Sequence, residues 1–234
     1  MTPPADWLDA LPRDRLLVEL SLWSADLCRM AEDIARVDPH CDIYHLDVAD
    51  GHFSPALLLF PDLTAAIRRL TRKPLHVHLM MTTNILRDQI AQFADAGADL
   101  ISIHLENEKI DEGLALIQRR GLHAGLVAQL HTPVVAFTPY LDRIAMVTLL
   151  GTRIGVKGQD LDPTATDRLR EARGLIGDRS AAGRILLAAD GGIRAHTVPG
   201  LRAAGAETIV MGSLAFGATD LAARMAWVHA QRLA

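Results

Sequence analysis

Ile43-Tyr44-His45-Leu46-Asp47-Val48-Ala49-Asp50-Gly51-His52-Phe53 carries two patterns at once. Its first half is an apolar run with two ionisable residues set at every second position. Side chains alternate along a strand, so His45 and Asp47 share one face and Tyr44, Leu46 and Val48 the other. The large apolar side chains suit a face covered by helices. His45 and Asp47 then point the opposite way, into the interior of a closed sheet. Asp50-Gly51 ends the strand with turn chemistry. Taken alone, a His-x-Asp pair is also what a hydrogen-bonded core histidine beside a satisfied aspartate looks like.

The pattern repeats outward from this strand. Apolar runs occur at Leu16–Trp23, Ile43–Val48, Leu75–Met80, Leu100–Leu105, His123–Ala128, Ile144–Leu150, Ile185–Ala189 and Thr208–Met211. Each is short, and most are flanked by charge, Gly or Pro, as buried parallel strands are. Amphipathic segments lie between them, among them Asp26–Val37, Leu63–Arg72, Asn84–Ala96, Thr164–Ile176 and Asp220–Leu233. Eight strand–helix repeats predict a (β/α)8 TIM barrel, a single domain over residues 16–234 preceded by an extension over 1–15. No G-x-G-x-x-G follows the first strand, which disfavours a doubly wound open sheet. Ala96-Gly97-Ala98-Asp99 is echoed by Ala204-Gly205-Ala206-Glu207, at an offset of 108 residues. Four βα units separate the two, as two similar half-barrels would give.

Composition narrows the function. The 234 residues are 50% hydrophobic and 22% charged, ordinary globular values. Lys and Arg total 24 against 28 Asp and Glu, a net charge of −4, which is no footprint for nucleic acid. Cys28 and Cys41 make no disulfide framework, and no CxxC occurs, so a reducing compartment is expected. Asp6 and Asp9 interrupt the N-terminal segment, which does not read as a signal peptide. The uncharged run Gly121–Leu141 contains His123, Gln129, His131, Pro133 and Pro139, and reads as strand, turn and helix rather than a membrane span. A cytoplasmic location is the resulting expectation.

In such a barrel, function gathers at the C-terminal ends of the strands. The third strand delivers His78 there, with His76 below it on the same face, and the seventh delivers Asp190 before Gly191-Gly192. His45, Asp47, His78 and Asp190 thus converge from three strands. Two imidazoles and two carboxylates suit one divalent metal ion such as Zn, Fe, Mn or Co. Without a metal, the set would be a neutralised polar cluster. His76, His104 and Glu106 read as supporting polar residues. Glycines recur after strand six (Gly155, Gly158), strand seven (Gly191, Gly192) and strand eight (Gly212-Ser213). Backbone N–H groups in such turns hold a phosphate in many barrels. Lys157 would either add charge there or be solvated.

These residues, in order, resemble the ribulose-phosphate 3-epimerase family: Ser21-Leu22-Trp23-Ser24-Ala25-Asp26, His45 to Phe53, His76-Val77-His78-Leu79-Met80, Asp190-Gly191-Gly192 and Gly212-Ser213. The resemblance runs from about Leu16 to Phe216. It implies a barrel of the ribulose-phosphate-binding type, a homo-oligomer, and an epimerase that inverts the carbon beside the ketone of a ketopentose phosphate. It maps metal ligands onto His45, Asp47, His78 and Asp190, with the two aspartates as acid and base on opposite sides of the mouth. Ser21 and Met80 map beside the substrate, and Gly191, Gly192, Gly212 and Ser213 onto a phosphate clamp with Gly155 and Gly158 near it.

The chain also departs from the family pattern. Ala49 and Leu150 stand where methionines are usual, so a soft apolar lid over the reacting carbon should lose bulk. Arg153-Ile154 replaces an Asn-Pro pair, and Gln129-Leu130-His131-Thr132-Pro133 replaces the usual loop after strand five. An altered substrate wall around an unaltered metal set implies a retained reaction type with a substrate open to change. Two other readings are a decarboxylase or aldolase on the same barrel, and a sugar-phosphate-binding barrel without catalysis. The second carboxylate, Asp190, argues against both.

Overall fold

A computed structural model of the chain describes residues 2–177 and 183–233. Met1 and Ala234, the outer bounds of the expected extension and barrel, lie outside the described residues, as do 178–182. Eight parallel strands form a closed barrel in sequence order. They are β1 (Leu17–Ser21), β2 (Ile43–Ala49), β3 (Leu75–Met80), β4 (Leu100–His104), β5 (His123–Ala128), β6 (Met146–Leu150), β7 (Leu186–Asp190) and β8 (Thr208–Met211), with β8 hydrogen-bonded back to β1. Helices α1 (Trp7–Ala10), α2 (Met30–Val37), α3 (Pro61–Arg68), α4 (Thr83–Asp95), α5 (Ile110–Arg119), α6 (Ala165–Ile176), α7 (Val198–Ala203), α8 (Ser213–Phe216) and α9 (Leu221–His229) complete the architecture.

The helices expected over Leu63–Arg72 and Asp220–Leu233 end four residues early, at Arg68 and His229, and two further departures have local causes. Helix α2 starts at Met30 rather than Asp26. The Asp26 carboxylate accepts from the backbone N–H of Cys28, a local turn that competes with the helix. After β5, the run Val134–Arg143 winds as a 3-10 helix, with Pro139 inside it removing one donor.

The outer faces of the strands and the inner faces of the helices form the main apolar core, including Tyr44, Leu46, Val48, Ile90, Phe93 and Phe137. Inside the barrel the side chains fall into three levels. The lowest is apolar, with Leu17, Ile43, Leu100, Met146 and Leu186. Trp7 and Leu8 of α1 close it from below, and the Trp7 ring meets His123 edge-on at 5.3 Å. Arg184 ties this plug down by donating to the carbonyls of Leu8, Leu11 and Pro12 at 2.8–3.2 Å. The middle level is polar and buried: Glu19, His76, Ser102, Thr148 and Thr208. Barrels usually fill these layers with branched apolar residues.

The Ala-Gly-Ala-acid echo has a structural counterpart. Gly97 and Gly205 both take positive φ at the ends of α4 and α7. The acids after them accept the backbone N–H of a residue on the preceding strand: Asp99 from Leu75 at 2.8 Å and Glu207 from Leu187 at 3.3 Å. Asp42 does the same for Val18 at 3.0 Å.

Candidate metal and sugar-phosphate site

The upper level of the barrel holds the chemistry. Register places Ser21 beside His45, Asp47 beside His78, and Leu150 beside Asp190. One ligand atom each from His45, Asp47, His78 and Asp190 lies within 4.8 Å of the others. His45 Nε2 is 3.4 Å from Asp47 Oδ1 and 3.9 Å from Asp190 Oδ2, and His78 Nδ1 is 3.7 Å from the same two atoms. Both of these ring nitrogens are buried without a hydrogen-bond partner. Two orphaned imidazole nitrogens aimed at two carboxylates are what a divalent cation would satisfy, so the residues present fit such an ion.

Asp47 and His78 are each held by a neighbour. Ser21 Oγ donates to Asp47 Oδ2 at 2.6 Å. His78 Nε2 lies 2.8 Å from His104 Nε2, and His104 Nδ1 lies 2.9 Å from Glu106 Oε2. Glu106 reaches on to the Gln129 N–H and the Thr132 hydroxyl, so the loop after β5 is tied to this relay. Arg168 of α6 braces the same loop through the carbonyls of Gln129, Leu130 and Thr132.

The two aspartates are electrostatically unlike. Burial pushes Asp47 up, but His45 and His78 outweigh it and hold the carboxyl well below the usual carboxylate range. Burial also pushes Asp190 up and, with the charge of Asp47 added, leaves it near 6 despite His45 and His78. Like charges brought together part in this way. Burial lowers His45, yet the surrounding carboxylates, Asp47 foremost, raise it well above the ordinary histidine value. Below it, Glu19 is raised by burial but brought down to about 2 by His76 and His45.

Above the cluster opens a cavity of about 450 Å³. It is lined by Ser21, Asp47, His78, Met80 and Asp190 at its base, and by Gly155, Gly158, Gly191, Gly192, Gly212 and Ser213 around its side. Every residue expected at the site therefore borders this space except His45, which is buried beneath it. Gly192 shows why no side chain is allowed: it takes φ +69°, and a Cβ would sit 2.7 Å from Leu161 Cα.

Ala49 is buried on β2 in register with Met80 and does not itself line the cavity; Leu150 and Met80 do line it. Asp47 on β2 and Asp190 on β7 stand three strand steps apart in the ring of eight, so the two carboxylates come in from well-separated sides and converge on the cluster. Lys157 is exposed and borders the cavity, with Nζ donating to the Trp23 carbonyl at 2.6 Å and lying 4.7 Å from the Trp23 ring centroid. Arg153 likewise exchanges hydrogen bonds with Gln159. Glu19, Trp23 and Arg168 are contributors that sequence reasoning missed. For Glu19 the signal was there, a charge in the middle of the apolar strand Leu17-Val18-Glu19-Leu20.

A model of the ribulose-phosphate 3 epimerase family matches residues 17–216. Ribulose-phosphate 3-epimerase 2 of Cupriavidus necator is 37% identical over 204 residues, which cover 86% of this chain and 84% of that protein. The ribulose-phosphate 3-epimerase of Escherichia coli is 35% identical over 207 residues, 87% of this chain and 90% of that one. Among solved structures, 3-hexulose-6-phosphate synthase from Salmonella typhimurium superposes with a TM-score of 0.67 at 16% identity, covering 91% of this chain and 96% of that chain. Orotidine 5'-phosphate decarboxylase from Pyrococcus horikoshii gives a TM-score of 0.61 at 16% identity, over 91% and 97% of the two chains. At such identity the structural likeness is one of fold. No helix among the described residues is long and apolar enough to cross a membrane.

Proposed function

Because the chain belongs to the ribulose-phosphate 3-epimerase family, we propose that it interconverts D-ribulose 5-phosphate and D-xylulose 5-phosphate by inverting C3, with Asp47 and Asp190 as base and acid. The observation that carries this reading is the convergence of two unlike carboxylates on two orphaned imidazole nitrogens at the base of the cavity. A hydrogen beside a ketone is too weakly acidic for an unaided carboxylate to remove. His45, Asp47, His78 and Asp190 would hold a divalent cation, one of Zn, Fe, Mn or Co, which would supply positive charge beside the ketone oxygen.

The chain's own groups divide the remaining work. Asp47, kept ionised and fixed by the Ser21 hydroxyl, takes the C3 hydrogen as a proton. Asp190, carrying a proton at the start of the turnover, returns it to the other face of the planar intermediate. In the reverse direction the roles exchange. Met80, Leu150, Ile154 and Val156 give the cavity apolar wall, which limits water around the reacting carbon. The side-chain-free turns at Gly191, Gly192 and Gly212-Ser213, with Gly155 and Gly158, let a phosphate approach the backbone and anchor the far end of the sugar. A decarboxylase or aldolase has no use for a proton donor facing the base, so Asp190 favours inversion.

Proton NMR of the metal-loaded protein with D-ribulose 5-phosphate in heavy water tests this. Loss of the C3 proton signal together with growth of D-xylulose 5-phosphate is expected. Asp190→Asn should fold, by circular dichroism, and lose at least 100-fold in turnover, the scale of a missing general acid or base. Wild-type turnover in that variant would remove the acid/base assignment. No exchange in the metal-loaded wild type would move the substrate to another ketose phosphate.

A further inference from the structure

We propose that Glu19 is a positioning residue for the metal centre: its buried carboxylate fixes the hydrogen of His45 on Nδ1 and so presents Nε2 as the ligand atom. The inference rests on the metal reading above and adds a residue that the four ligands do not include.

The hydrogen-bond directions form one consistent chain. Glu19 on β1 is wholly buried, with Oε2 at 3.1 Å from His45 Nδ1 and 2.6 Å from His76 Nδ1. An ionised carboxylate only accepts, so both Nδ1 atoms carry hydrogen. His76 Nε2 is then an acceptor, and the Ser102 hydroxyl stands 2.7 Å from it as the donor. His45 Nε2 is left at the upper end of the chain, with no hydrogen-bond partner, facing Asp47 and Asp190. The His45 and His76 rings meet edge-on, 85° apart with centroids at 4.8 Å, so one carboxylate oxygen grips two rings in crossed planes. This stops His45 from turning as well as setting its tautomer.

The specification matters because the two ligand histidines use opposite nitrogens. His78 points Nδ1 into the cluster and Nε2 at His104. Nothing in the ring itself chooses between these arrangements; the partner behind it does. Glu19 is also retained at a cost. Its Oε1 is buried with no donor, which a neutral residue filling the same layer would avoid.

The test uses the zinc-loaded chain with 15N-labelled histidine. Two downfield N–H resonances, slow to exchange with solvent, are expected from Nδ1 of His45 and His76. In competition with a chromophoric chelator, Glu19→Gln should bind zinc 10- to 100-fold more weakly, the usual effect of losing a partner behind a ligand histidine. Its His45 resonance should move or vanish. Glu19→Asp, which keeps the charge one methylene short, should fall between. Equal zinc affinity in Glu19→Gln and wild type overturns the inference alone. So does a His45 in the wild type that shows no Nδ1–H, a measurement that needs no variant to fold. A wild type that binds no zinc overturns the metal reading and this inference together.

Discussion

His104 is buried, and burial lowers it to about 4 despite the adjacent Glu106 carboxylate; His76 is lowered to about 4 in the same way. Free histidine takes its proton near 6.5, so between that pH and 4 the unfolded chain binds two protons that these sites refuse. Stability therefore falls as pH falls through this window. Asp190, raised to about 6 by burial, binds its proton earlier in the folded state than in the unfolded one and offsets one of the two. Removing one histidine should thus show directly. In the metal-free protein, His104→Gln should flatten the pH dependence of the urea midpoint between 6.5 and 4.5 by up to one proton, about 1.4 kcal/mol per pH unit. Parallel profiles for the two proteins would mean that His104 is protonated in the fold. At this scale the sequence was legible wherever a polar side chain ended an apolar strand, as His78 and Asp190 do. It was opaque where function rests on a pairing across strands. His76 and Glu19 lie 57 positions apart, and nothing local says that they meet.

The loop from Gly151 to Thr164 shows what an element adds. It borders the cavity along much of its length, and Lys157 fastens it to the first strand's loop through the Trp23 carbonyl and ring. A cation stacked on an indole face and hydrogen-bonded at once holds the loop over the site at little entropic cost to binding. Lys157→Ala should loosen that closure. KM for the sugar phosphate is expected to rise about three- to tenfold, roughly 1 kcal/mol of binding, with kcat within twofold. A KM equal to wild type would show that the loop is held by its other contacts. Strand positions were read from sequence to within two or three residues because each is a buried apolar run. Helix starts were less legible, since Asp26 uses its side chain locally and delays α2 to Met30. The loop's fastening was illegible, because Trp23 and Lys157 lie 134 positions apart.

On the scale of the whole molecule, the eightfold alternation gave the closed barrel, and what it left out was the floor. The first fifteen residues read as a polar lead, yet α1 inserts Trp7 and Leu8 into the apolar lowest level, where both are buried. A single turn of helix carries too little periodicity to be seen, and its anchor, Arg184, lies 176 residues from Leu8. Trp7→Ala should cost about 3 kcal/mol, at the lower end for truncating a buried indole, and leave kcat unchanged. Denaturant unfolding and steady-state rates on the same preparation check both halves. A fall in kcat of tenfold or more would mean that the floor is coupled to the mouth.

Below the site the barrel is filled, by the buried polar level and then by the apolar level that the plug covers. Sugar, water and protons all pass through the opening that the bound sugar itself stoppers. After one inversion by the proposed route, Asp47 holds a proton and Asp190 lacks one. The pair must be reset before the next turnover in the same direction, and that reset waits for the product to leave. By that route each cycle has a dry half and a wet half.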